Sequence, residues 1–191
     1  MNDEQLISAL RNSDAAAVEQ LVNTHGDRLL RSAFLLCRSE TEAQDIVQDT
    51  LVEAIRSIHR FQGRSAIYTW LHSILLNMAR HHHRKQSRMI YDNDLAATEV
   101  SAPAHDQSQV DADAAAAGLQ TALQRLSGPH REVVILRYYE DMKICDIARH
   151  LGISAGTVKS RLHYAMKEMQ AHLPAELNLF CGAGTKEMQL Q

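Results

Sequence analysis

Apolar residues recur along this chain at helical, not alternating, spacing. In and just after "SETEAQDIVQDTLVEAI", Ala43, Ile46, Val47, Leu51, Ala54, Ile55 and Ile58 fall on one face. Glu42, Asp45, Gln48, Asp49 and Glu53 fall on the other, which predicts an amphipathic helix. Ser39 and Glu42 open it as a capping box. Upstream, Asp14 is placed to cap a helix containing Val18, Leu21 and Val22, and Leu29, Leu30, Ala33, Phe34 and Leu36 continue the pattern after Gly26. Downstream, "RFQGRSAI" breaks the periodicity. It resumes with Ile67, Trp70, Leu71, Ile74, Leu75 and Met78, while Ser73, Asn77, Arg80, His81, Arg84, Lys85 and Arg88 are rotated away from that stripe.

A second set of short helices follows an aperiodic stretch. Leu119, Ala122, Leu123 and Leu126 lead into "SGPHREVVILRYYED", where Ser127 and Pro129 mark a helix start. In "DIARHLGISAGTVKSRLHYAM" two helical patterns meet at Gly152. Ile144, Ile147, Ala148 and Leu151 face inward on the first, and Val158, Leu162, Ala165 and Met169 on the second, which Ser154 caps. Gly152 supplies the turn in a left-handed conformation. The expected fold is all-α: two small helical domains joined by a flexible linker, the second containing a helix–turn–helix. The domains are placed at 1–90 and 115–173, the acidic linker at 91–114 and a tail at 174–191. That linker is rich in Asp, Ala, Ser and Gln and lacks the apolar surface needed to offset the entropy of ordering.

Composition agrees and narrows the classes. Aromatics make up 5% of the 191 residues, and helix formers abound. No apolar run approaches the roughly 20 residues that span a bilayer, and the start has no secretory-leader pattern. Three separated cysteines suggest neither a disulfide framework nor a thiolate metal site, which fits a cytoplasmic protein. The three adjacent histidines, 81–83, point about 100° apart on a helix and do not converge on one ion, so no metal and no cofactor is expected. Neither a phosphate-binding glycine loop nor a nucleophile–base constellation is present, and an enzyme reading has little support.

Charge adds a functional constraint. Residues 1–53 hold 4 Lys/Arg and 10 Asp/Glu; residues 54–91 hold 7 basic residues and no acidic one; residues 92–113 hold 6 acids and no Lys/Arg; residues 114–173 hold 8 basic against 5 acidic residues. Two basic zones separated by an acidic one read as two contacts with a polyanion. In the first zone, Arg64, Arg80 and Arg84 supply charge. Trp70 fits the core stripe, whereas Phe61 and Tyr68, beside the loop, fit either core or stacking platforms for unpaired bases. In the second zone, the outer face of the last helix offers Thr157, Lys159, Ser160, Arg161, His163 and Tyr164. These are residue types that bond base edges or phosphates in a major groove. A plain helical hairpin with a solvated basic face has the same spacing.

The order "DIVQDTLVEAI", "RFQGRSAIYTWLHSILLNMAR", a basic run, an acidic linker, then "LSGPHREVVILRYYEDMKICDIARHLGISAGTVKSRLHYAM" resembles a bacterial extracytoplasmic-function sigma factor, over roughly residues 15–170. The length and His-rich helix are similar to a nickel/cobalt-resistance member. The resemblance implies a promoter-specificity subunit that binds core RNA polymerase and promoter DNA and is held inactive by an anti-sigma factor, often the cytosolic part of a membrane protein. It implies that Glu42, Asp45, Gln48 and Asp49 dock on the polymerase. It also implies that the loop "FQGRSAI", with Phe61, Arg64 and Ser65 and with Tyr68 just beyond it, captures a base flipped from the minus-ten element, with Asn77, Arg80 and Arg84 on adjacent DNA. Lys159, Ser160, His163 and Tyr164 would lie over the minus-thirty-five element, with Thr157 and Arg161 towards phosphates. Relatives often carry a basic residue where Tyr164 stands. Two other classes fit parts of the pattern: an operator-binding helix–turn–helix regulator, and an RNA-binding or purely structural helical protein.

Overall fold

A computed structural model describes residues 3–37, 39–92 and 110–172, with side chains described outside 86–92 and 110–117. Among the described residues every regular element is helical. The chain divides into two compact units, 1–84 and 85–191.

The first unit begins with a helix that the periodicity did not announce, α1 (Asp3–Arg11). Its apolar content is only Leu6, Ile7, Ala9 and Leu10, too short a run to read as a stripe. Leu6 and Leu10 are nevertheless buried, and Asp3 and Glu4 complement the positive end of the helix dipole. A tight turn follows, with Ser13 at φ 59°. Asp14 then caps α2 (Ala15–Leu36), its Oδ1 accepting from the Ala16 amide at 2.9 Å. α2 passes through Gly26 unbroken, and it turns Val22 and Phe34, expected inward, towards solvent. The face it buries instead is Ala17, Leu21, Leu29, Ser32 and Ala33.

Helix α3 (Glu40–Ser57) starts at Ser39, whose hydroxyl accepts from the Glu42 amide at a long 3.4 Å. It buries Ala43, Ile46, Val47 and Ala54 as expected, and packs on α2. A 3-10 turn, Ile58–Arg60, and an exposed loop lead to α4 (Ile67–Asp92). Ile67, Leu71 and Leu75 of α4 complete a core with Leu21, Leu29 and Ile46. One buried polar pair interrupts that core: Ser32 Oγ and His72 Nε2 lie 2.7 Å apart and satisfy each other there.

The second unit opens with α5 (Val110–Arg125). This corrects the expected linker boundary at 114, because the alanine-rich sequence from 112 has high helix propensity and acids at 111 and 113 suit a helix start. Likewise α4 continues past residue 90 to Asp92. The rest of the acidic segment, 93–109, and the tail from 173 lie outside the described residues. Leu119, expected inward, is exposed, whereas Ala122, Leu123 and Leu126 are buried. α6 (Gly128–Val134) has proline in its first turn and ends in a π-type turn, Ile135–Tyr139, closed by the Glu140 amide on the Ile135 carbonyl at 3.0 Å.

Buried Arg131 joins α6 to α5. Its Nε donates to the Leu123 carbonyl at 2.9 Å, and its Nη2 to those of Gln124 at 2.9 Å and Leu126 at 3.0 Å. One cation thereby caps the carboxyl end of α5, where unpaired carbonyls and the helix dipole both favour positive charge. α7 (Ile144–Leu151) and α8 (Ala155–Gln170) follow, and α8 packs against both α6 and α7.

Candidate nucleic-acid and polymerase interfaces

The α7–turn–α8 unit is a helix–turn–helix. Gly152 adopts φ 66° and ψ 34°, the left-handed geometry that lets the chain reverse while the Gly152 and Ile153 amides both reach the Ala148 carbonyl. Ser154 then caps α8, its Oγ accepting from the Thr157 amide at 3.0 Å and lying 2.8 Å from the Thr157 hydroxyl. Val158, Leu162, Ala165 and Met169 are buried along the inner face of α8. Lys159, Ser160, His163 and Tyr164 are left exposed on the outer face, with Thr157 and Arg161 half-buried at its margins. Tyr164 is 59% exposed, more than Tyr138 at 48% or Tyr139 at 38%. His163 lies edge-on to it, ring centroids 5.5 Å apart. The Ser160 hydroxyl donates back to the Thr157 carbonyl at 3.0 Å. All six residues expected on this face therefore share one surface.

The expected minus-ten residues divide. Gln62, Gly63, Arg64, Ser65 and Ala66 form an exposed loop, with Gly63 at φ 68°. Asn77, Arg80 and Arg84 are exposed on α4 at helical spacing. Phe61 is different: it is 5% exposed and packs against Trp70, ring centroids 5.2 Å apart. The expectation that its ring meets DNA is thereby corrected, because the apolar face it completes is the core of the first unit. Tyr68 is half-buried, and the Arg28 guanidinium sits 4.0 Å from its ring centroid, with the His25 and His72 rings nearby at 5.8 and 6.1 Å. Burial, only partly countered by Asp3 and reinforced by Arg28, holds the His25 imidazole below its ordinary pKa.

On α3, Asp45, Gln48 and Asp49 are exposed and Glu42 half-exposed, so the acidic face forms as expected. Sequence reasoning missed that Asp49 is paired: its Oδ2 lies 2.9 Å from His82 Nε2 of α4. The middle histidine of the 81–83 run therefore reaches back to α3, away from the basic face. Among the described residues no group of three or more His, Cys, Asp or Glu side chains is placed to hold a metal ion. Nor, among them, is any helix long and apolar enough to cross a membrane.

Both units match known protein families. Residues 21–89 match Sigma-70 region 2, and residues 117–169 match Sigma-70, region 4. The extracytoplasmic-function (ECF) sigma factor SigM of Mycobacterium tuberculosis is 33% identical over 161 residues, covering 84% of this chain and 79% of that protein. The solved sigma factor RpoE of Bartonella quintana, in complex with the anti-sigma factor NepR, is 28% identical with a TM-score of 0.67, covering 80% of this chain and 94% of the other. CnrH, solved with the cytosolic domain of CnrY, is 26% identical with a TM-score of 0.63, covering 88% and 95%. The chain belongs to the ECF RNA polymerase sigma factors, non-enzymatic subunits that bind core polymerase and direct initiation at particular promoters, which sets aside an operator-binding regulator working beside another sigma subunit.

Proposed function

We propose that this sigma factor divides its work among three surfaces. The outer face of α8 reads the minus-thirty-five element: Lys159, Ser160, His163 and Tyr164 lie over base edges, and Thr157 and Arg161 meet phosphates. The loop carrying Arg64 and Ser65 receives a base from the opened minus-ten element beside Tyr68, and Asn77, Arg80 and Arg84 hold the neighbouring backbone. Opening a duplex costs free energy that capture of an unstacked base offsets in part. The acidic face of α3, Glu42, Asp45, Gln48 and Asp49, docks on core polymerase. The domain assignment that follows is a docking and melting domain ending with α4 and a minus-thirty-five domain opening with α5.

The observation that carries this reading is the exposed face of α8 behind a capped helix–turn–helix. On that face a large aromatic ring stands beside cationic and hydroxyl side chains, the residue types that bond bases and phosphates. The solved relatives are bound by anti-sigma factors, NepR on RpoE and CnrY on CnrH. By likeness, this chain is held in check in the cytoplasm by a protein of that kind.

The test is run-off transcription with sigma-free core polymerase and a promoter library. Substituting Lys159 and Ser160 is expected to change preference at the upstream element while core binding stays intact. Substituting Asp45 and Asp49 is expected to weaken core binding without altering that preference. Loss of core binding in the α8 variants would sink the division of labour.

A further inference from the structure

We infer that α1 is part of the promoter-reading apparatus, with Arg11 a positioning residue for the minus-ten loop: its Nη2 donates to the Phe61 carbonyl at 2.7 Å and fixes where the loop leaves the core. The inference rests on the reading of that loop as the base-capturing segment. The match to Sigma-70 region 2 begins at residue 21, so α1 lies outside it.

Consider what holds the loop. Residues 62–66 are all exposed, so their own side chains bury little surface that would define one conformation. Their position is inherited from the two ends. At the far end, Ile67 is buried and the Trp70 amide bonds the Ala66 carbonyl at 3.3 Å as α4 begins. At the near end, the Phe61 ring is seated against Trp70, and its amide closes the preceding turn on the Ile58 carbonyl at 3.1 Å. Its carbonyl carries the chain onward into the loop, and Arg11 is the partner that aims it. A guanidinium donor to a carbonyl is a charge-assisted bond, stronger and more directional than one between neutral groups.

Arg11 is itself placed rigidly. Leu6 and Leu10 sink α1 into the core, and α1 packs against the Ile58–Arg60 turn. The Asn12, Ser13 and Asp14 amides all return to carbonyls of α1 at 3.1–3.3 Å, so the end of the helix is tied down just where Arg11 emerges. A short helix that adds modestly to the core thus places a cation beneath the loop, and a displacement of about 1 Å at such a site costs up to a hundred-fold in function.

The test uses holoenzyme assembled from core polymerase and the full chain, with wild type, Arg11→Met and Arg11→Lys compared. The probe is a single-stranded DNA oligonucleotide selected from a randomised pool by the wild-type holoenzyme, together with copies made abasic at one position at a time. The readout is the affinity ratio of intact to abasic oligonucleotide at the most sensitive position. Because both are measured on one protein, a change in folded fraction cancels. Arg11→Met is expected to lower the ratio about ten-fold, the loss of one charge-assisted hydrogen bond, and Arg11→Lys to restore part of it by returning a cationic donor. A merely structural role for Arg11 would lower the melting temperature and leave the ratio alone. If wild type discriminates and Arg11→Met discriminates equally, the inference is overturned. If wild type shows no sensitive position at all, the base-capture reading fails and takes this inference with it.

Discussion

Three hydrogen bonds from Arg131 tie α6 to the end of α5. Arg131→Met keeps most of the aliphatic stem, and so most of the packing, while removing all three hydrogen bonds to the end of α5. The guanidinium is in a residue only 8% exposed, and the carbonyls of Leu123 and Leu126 that it serves belong to buried residues. A hydrogen bond to a charged group contributes about 1.5–3 kcal/mol net. The bond to Gln124 is only part-buried, so its carbonyl can turn to water and loses less. Against this, the variant is relieved of a buried cation, which offsets part of the loss. The balance is a destabilisation of about 3 kcal/mol, taking two full bonds at the low end of that range. For a domain of this size it corresponds to a fall in melting temperature of roughly 12–24 °C. Thermal unfolding followed by circular dichroism on the full chain measures it, with Arg131→Lys as the control. Lysine keeps the charge but lacks the planar fork, and recovers about one bond of the three. A fall of less than about 4 °C in Arg131→Met, which is roughly 1 kcal/mol, would refute the view that this cation joins α5 to α6.

Gly152→Ala meets no atom within 4 Å of its new Cβ, so its cost is purely the left-handed backbone; about 1–2 kcal/mol is expected, and Gly152→Asn is expected to lose less in the same melt because asparagine tolerates that conformation. His25 has a lowered pKa, so between that value and the ordinary 6.5 the unfolded chain binds more protons than the folded one. Its contribution to stability is therefore lost as pH falls below 6.5, and His25→Gln is expected to flatten the melting-temperature profile across that window while leaving it unchanged near pH 8. Replacing His82 with Ala is expected to weaken core binding less than replacing Asp49, because on the proposed docking face His82 only orients the carboxylate that Asp49 would present to the polymerase; titration of core against labelled protein reads this, and an equal or larger loss for the His82 variant refutes that order.

Helical periodicity made much of the fold legible. The inward faces of α3, α4, α7 and α8 follow their stripes, and the caps at Asp14 and Ser154 and the left-handed Gly152 were marked by residue type. What periodicity missed has physical causes. α1 is a short helix whose stability comes from the core that Leu6 and Leu10 enter, which no local pattern reports. Val22 and Phe34 continue a stripe on paper, but α2 runs straight through Gly26, and a long helix rotates part of any apolar run out of contact with its neighbours. Phe61 was ambiguous because a loop aromatic serves core and ligand alike; only its packing on Trp70 decides. The pairs Asp49–His82, Arg11–Phe61 and Ser32–His72 join positions 33–50 residues apart. Pairings at that separation are set by tertiary packing, and a single sequence carries no signal for them.

If α8 reads the upstream element as proposed, the hydroxyl of Ser160 bears on which bases it can favour. Its proton is already committed to the Thr157 carbonyl, so what it presents outward is lone pairs alone. Where it reaches a base edge it welcomes the amino groups of adenine or cytosine and meets the carbonyl oxygens of guanine or thymine without a proton to share. Next to it, Lys159 offers protons and no lone pair, and suits guanine. On the proposed reading of α8, neighbouring positions of one helix thus carry opposite polarity, and part of the selection would lie in what the helix withholds.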